Sequence, residues 1–162
     1  MIVNTRGQIV KWALQGCQDK AVHDDFHYLE VRPLFLRWPG PITHDVDSDC
    51  SWYVKLCYWK AGAKDPTGLN YSPWGNSDSL YAVGRHIPLK RVKHGDVIVF
   101  GPGGSVHAVV VVQSGPDPLC ASMGKPGDPS LVRLSVLEGL GEPTFLRFRT
   151  LNRRLIPSRK TH

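Results

Sequence analysis

From Gly95 onward the sequence abandons helical spacing for short β-branched runs, and this change of period restricts the chain to folds with a sheet on the C-terminal side. "DVIVF" (96–100) and "VHAVVVV" (106–112) are separated by the turn "GPGGS", and "QSGPDP" leads on into "LCASM" (119–123). Runs this short, joined by turns this tight, return as neighbouring antiparallel strands. "LVRLSVL" (131–137) and "TFLRFRTL" (144–151) are further strand-like pieces.

The N-terminal part reads as helix and loop. Thr5 to Gln15 carries Ile9, Val10, Trp12, Ala13 and Leu14, enough for a short helix with Gly16 as its stop. In "DSDCSWYVKLCYWKAG" (47–62), Ser48 or Asp49 can cap a helix in which Trp52, Tyr53, Leu56, Cys57 and Trp59 recur at steps of three and four, with Gly62 as its end. Three prolines, Pro33, Pro39 and Pro41, exclude a continuous helix from "VRPLFLRWPGPITHD" (31–45) and predict extended or turn structure. "KDPTGLNYSPWGNSDS" (64–79) is dense in turn formers and predicts a long loop, a kind of segment that usually carries function in a compact domain. Helices first and an antiparallel meander after them predict an α+β fold. With 162 residues, 41% hydrophobic and 21% charged, the chain is expected to form one domain, 1–162, around a single core.

Composition removes several classes of function. There is no run of about eighteen apolar residues, so no membrane insertion is expected, and the N-terminus lacks the basic start and apolar stretch of a signal peptide. Cys17, Cys50, Cys57 and Cys120 form no C-x-x-C pair, and the histidines are not clustered at zinc spacing, which argues against a structural metal and for reduced thiols. The net charge of +6 matches the six cations after Glu142, namely Arg147, Arg149, Arg153, Arg154, Arg159 and Lys160. A basic C-terminal segment from about 143 to 162 suits either contact with an anionic polymer or a solvated terminus. It has no interleaved aromatics or recognisable binding motif, so no specific nucleic-acid partner is expected.

Cys50 is the residue with chemical potential. A thiolate in the first turn of a helix is held by unpaired N–H groups and the positive end of the helix dipole, which lower its pKa; the alternative is a packed thiol. A nucleophilic cysteine needs a base, and His107 stands out as the one polar ring in "VHAVVVV", although a satisfied core histidine would also fit there. A helix-start cysteine followed by a strand-borne histidine is the order found in compact papain-like cysteine peptidases.

The stretches "HYLEVRPL", "DCSWYVKLCYWKAGAKDPTGLNY", "HGDVIVFGPG", "VHAVVVV" and "DPLCASMG" resemble, in order, the N-terminal peptidase domain of endolysins from phages of mycobacteria and related actinobacteria, within the NlpC-type superfamily of papain-like peptidases. The resemblance runs from about Phe26 to Asp128 and implies N-terminal helices packed on an antiparallel sheet. It implies Cys50 as nucleophile, His107 as base, and Tyr28 as a residue lining the site. Asp96, in the glycine-aspartate turn, is read as structural, and Cys57, Cys17 and Cys120 as packed residues.

Two positions depart from that family. Trp52 replaces a small residue and is expected to contact substrate or pack beneath the cleft. Ser122-Met123-Gly124 replaces Ser-His-Gly, so the residue orienting the imidazole is either lost or is Ser122. Adjacent strand residues face opposite ways, so only one of Ser122 and Met123 can share the face of His107; allowing for the longer turn, Ser122 is expected there and Met123 in the apolar layer.

The resemblance thus implies a monomeric peptidoglycan endopeptidase of endolysin type. It would use no metal or organic cofactor, be made in the host cytoplasm during phage infection, and act on the cell wall after release. An amidase of the sister Cys-His group and a degenerate wall-binding or phage structural protein are the alternatives.

Overall fold

A computed structural model describes residues 4–31 and 46–150. Helices α1 (Thr5–Gln18) and α2 (Lys20–Asp24) lead into the short strands β1 (Phe26–Tyr28) and β2 (Val46–Ser48), which pair in parallel. Helices α3 (Cys50–Lys60) and α4 (Ser77–Val83) follow, and then strands β3 (Arg85–Ile87), β4 (Val97–Phe100), β5 (His107–Gln113), β6 (Leu119–Ser122), β7 (Ser130–Arg133) and β8 (Pro143–Arg147). These last six form one antiparallel sheet in the order β3-β8-β4-β5-β6-β7. The architecture is α+β, as the change of period predicts. The meander holds from β4 to β7, but β8 returns to pair with the other edge of β4 and with β3.

Helix α3 is the centre of the fold. Every residue from Ser51 to Tyr58 is buried, so the helix presents no solvent face and is enclosed by α1, the sheet and the following loop. Lys55 lies within this stretch with no exposed surface, and its Nζ donates to the carbonyls of Ser72 (2.8 Å) and Gly75 (3.1 Å). Those bonds tie the 64–76 loop to the helix and give a buried ammonium the acceptors it requires. Asp65 organises the same loop, accepting from Thr67 N–H and Oγ1 (both 2.8 Å) and from Tyr71 N–H (2.6 Å).

Several expectations are corrected. The loop expected over 64–79 ends earlier, because Asn76 and Ser79 form a reciprocal capping box that starts α4 at Ser77. Gly16 does not stop α1, which runs on to Gln18. Its small size instead admits the Tyr53 ring: a Cβ at Gly16 would lie 2.3 Å from the Tyr53 oxygen, which donates to Ala13 O at 2.8 Å. The basic segment expected from about 143 begins inside the sheet, since residues 143–147 are β8 and Arg147 is committed to an ion pair. Arg153, Arg154, Arg159 and Lys160 lie outside the described residues, as does most of the proline-rich stretch 31–45.

The partner of Arg147 is Asp96, 1% exposed at the turn into β4. Its carboxylate accepts from Arg147 Nε (3.1 Å) and Nη2 (2.8 Å), Arg6 Nη1 (2.8 Å) and Lys93 N–H (2.8 Å). One side chain thereby joins α1, the β4 turn and β8. Burial pushes the Asp96 pKa up, but the bonds from Arg147, Arg6 and Lys93 outweigh it and hold the group below the usual carboxylate value.

Two predictions follow from this packing. Gly16→Ala gains about 1 kcal/mol in helix propensity, yet it must displace Tyr53, so a net loss of about 1–3 kcal/mol is expected in denaturant melts. A depressed folded-state pKa contributes stability above the unfolded value near 3.9, and that contribution is lost as pH falls through the folded value. Asp96→Asn should therefore cost about 2–4 kcal/mol at neutral pH, because two partly solvated arginines lose their partner. Its stability should also fall less steeply than wild type below about pH 4.

Candidate active site

The geometry begins with Asp49. Its backbone is extended and its Oδ1 accepts from Trp52 N–H (2.8 Å) and Ser51 Oγ (3.0 Å), which caps α3 and fixes Cys50 as the first helical residue. Helix α3 packs across β5, and the Cys50 sulfur meets the backbone N–H of Ala108, the residue after His107. The start of the helix and the start of the strand therefore adjoin.

Along β5 the side chains alternate. Ala108, Val110 and Val112 join the core beneath the helices, while Val109 and Val111 join a second cluster with Phe100 and Cys120 on the other face. His107 takes that second face, 6% exposed, with its ring centroid 6.1 Å from that of Phe100. Across the ladder Val109 pairs with Ser122, and Ser122 Oγ lies 2.8 Å from His107 Nε2. Met123 faces the opposite way and is fully buried in the helix-side core. Beyond it, Gly124 lies against the imidazole: a Cβ there would sit 2.6 Å from Cε1 and 3.3 Å from Nδ1. Nε2 is thus turned to Ser122, and Gly124 closes off one side of the ring.

The electrostatics correct one expectation. Burial pushes the Cys50 thiol up to about 11, and Asp49 adds to that; the N–H groups of Ala108, Ser51 and Cys50 pull the other way without overcoming it. The helix start does not by itself yield a thiolate. Burial also lowers the His107 pKa, which Asp128 partly offsets. Both effects favour the uncharged forms, a protonated thiol and a neutral imidazole. Cys50 still differs from the other cysteines: burial drives Cys17 and Cys120 to about 12 and Cys57 higher still.

Tyr28 is half-buried at the end of β1, opposite Ser48 in the parallel pair. Burial raises its pKa first and the nearby Cys50 second, which places the phenol at the candidate site. Trp52 is corrected: it has no exposed surface and forms part of the core under the first turn of α3, so it does not contact substrate. Phe100 and Asp128 reach this region only through sheet register or loop geometry, which no local sequence pattern marks. Among the described residues no cluster of three or more His, Cys, Asp or Glu could hold a metal ion.

No protein-family model matches the sequence. Two curated proteins of Mycobacterium tuberculosis are similar over part of the chain. Peptidoglycan endopeptidase RipA is 37% identical over 70 residues, 43% of this chain and 13% of RipA. Peptidoglycan endopeptidase RipB is 33% identical over 73 residues, 45% of this chain and 27% of RipB. The matched stretch is thus a small part of either relative. Among solved structures, RipD of M. tuberculosis, described as a non-catalytic NlpC/p60 domain protein adapted to peptidoglycan binding, superposes with a TM-score of 0.59 at 16% identity, covering 89% of this chain and 97% of RipD. Helices packed on a six-stranded antiparallel sheet, with that superposition, give this chain the fold of the NlpC/p60 papain-like peptidase domains.

Proposed function

We propose that this chain is a peptidoglycan hydrolase that cleaves a peptide bond in cell-wall stem peptides through Cys50 and His107. The observation that carries the reading is the His107 Nε2 to Ser122 Oγ contact of 2.8 Å, at the strand start against which the Cys50 thiol is packed. A core histidine needs only one hydrogen-bond partner. This one also opens β5, next to Ala108, whose N–H meets the Cys50 sulfur at the capped start of α3. Partial identity to two peptidoglycan endopeptidases supports the choice of substrate.

In the proposed reaction the Cys50 proton passes to His107 Nδ1 as the sulfur bonds to the scissile carbonyl carbon. The Cys50 N–H stabilises the resulting oxyanion. Collapse of that intermediate breaks the C–N bond, and the departing amine takes the proton from the imidazolium. Water, deprotonated by His107, then releases the acyl group and restores the thiol. Ser122 holds the ring through Nε2, and as a neutral hydroxyl it steadies the imidazolium less than a carboxylate would. Tyr28, near Cys50, would line the site. The run of motifs shared with phage lysins supports an endolysin that is made in the host cytoplasm and reaches the wall on release, with the chain acting as a monomeric catalytic domain.

A non-catalytic, wall-binding role is the second reading, favoured by the raised thiol pKa and by the overall likeness to RipD. Zymography on actinobacterial walls with mass analysis of the released fragments separates the possibilities. New amino termini within stem peptides are expected; fragments detached at the glycan would mark an amidase, and binding without release would mark a degenerate domain. Cys50→Ala should abolish release while keeping the melting temperature, and Ser122→Ala should lower turnover by roughly ten- to a hundredfold.

A further inference from the structure

Asp128 is a buried acid that the reaction above does not use. It is 4% exposed, in the loop between β6 and β7. Its Oδ2 accepts from the backbone N–H of Gly124 (2.8 Å) and its Oδ1 from Ser130 Oγ (2.7 Å). Gly124 abuts the His107 ring, where a Cβ would sit 2.6 Å from Cε1, leaving no room for a side chain. Ser130 pairs in register with Ser122, the residue bonded to Nε2. The anchors of the carboxylate thus flank Ser122, with Gly124 two residues beyond it and Ser130 opposite it on β7.

Granted the hydrolase reading on which it depends, we propose that Asp128 is a positioning residue for His107. Through the Gly124 peptide it fixes the wall behind the ring, and it supplies the negative charge that steadies the imidazolium after the thiol proton has moved. The field it exerts is in the required direction: Asp128 is the charged group that raises the His107 pKa against the effect of burial. The other ionisable groups around this end are differently placed. Cys50 opens α3 and Asp49 caps it, and Tyr28 ends β1. Cys17 of α1 lies within the field of Asp128, and His23 of α2 directs Nε2 to Gly127 O at 3.0 Å. Ser122 offers a hydroxyl where other arrangements use a charge. A buried carboxylate one peptide away supplies the charge that this hydroxyl lacks.

The test is the titration of the His107 ring by NMR in the Cys50→Ala protein, which does not depend on wall hydrolysis. Asp128→Asn keeps an acceptor for Gly124 N–H while removing the charge. It should lower the His107 pKa by roughly 0.5–1 unit. In the Cys50-containing protein it should move the acid limb of kcat/KM to lower pH by the same amount, with turnover reduced about tenfold. Asp117→Asn changes net charge equally, but it lies in the β5–β6 turn, roughly 20 Å from His107 at the other end of the hairpin, and should leave the ring pKa unchanged. An unaltered His107 pKa in folded Asp128→Asn overturns the proposal. Asp128→Ser serves if the asparagine variant does not fold, and failure of both to fold would make Asp128 purely structural and also overturn it. Wall hydrolysis that is absent from the parent protein, with the pKa shift present, would instead refute the hydrolase reading alone.

Discussion

The enclosure of α3 is the constraint on which the remaining structure depends. Eight consecutive buried residues leave that helix no freedom to rotate or slide without exposing apolar surface on one side and opening a void on the other. Trp52, Tyr53 and Leu56 lock it against α1 and the sheet, and Lys55 pins the outer loop to it. Cys50 is therefore held at a fixed point above the start of β5. The Asp96 cluster does the same for the strands, since Arg6 and Arg147 bring α1 and β8 to the turn that begins β4.

The same packing sets the chemistry. A helix N-terminus is worth at most about 2 kcal/mol to an anion, and taking a thiolate out of water costs more than that. The outcome is a Cys50 thiol pushed up to about 11, and a His107 imidazole whose pKa burial lowers. In the proposed reaction, the burial that disfavours a free thiolate would also exclude water from the oxyanion, where fixed N–H groups act most strongly.

The α+β class and most strand positions are legible in the sequence because short β-branched runs and tight turns are local signals. The capped helix at Cys50 is equally local, since Asp49 and the spacing of Trp52, Tyr53 and Leu56 lie within one segment. The facing of His107 and Ser122 follows from strand alternation once the pairing of β5 with β6 is taken as given. What is illegible depends on contacts between distant segments. Gly16 reads as a helix stop until Tyr53 is placed against it. Trp52 reads equally as a cleft residue or a core residue, because a helix surrounded on all sides has no polar face to show which way it points. β8 returns to β4 rather than extending the meander, a choice of edge that no local pattern encodes. Asp128 sits among loop residues, and nothing in its local sequence marks it as buried.

The central claim is that this packing makes Cys50 alone a reactive nucleophile that depends on His107. It is tested most directly by alkylating the native protein with iodoacetamide at pH 7.5 and following each cysteine by peptide mapping, with His107→Ala in parallel. Cys50 should be labelled at least about tenfold faster than Cys17, Cys57 and Cys120, as expected for the only thiol with both an accessible face and a neighbouring base, and the advantage should collapse in His107→Ala. Equal labelling of the four thiols, or a Cys50 rate indifferent to the loss of His107, would contradict the account.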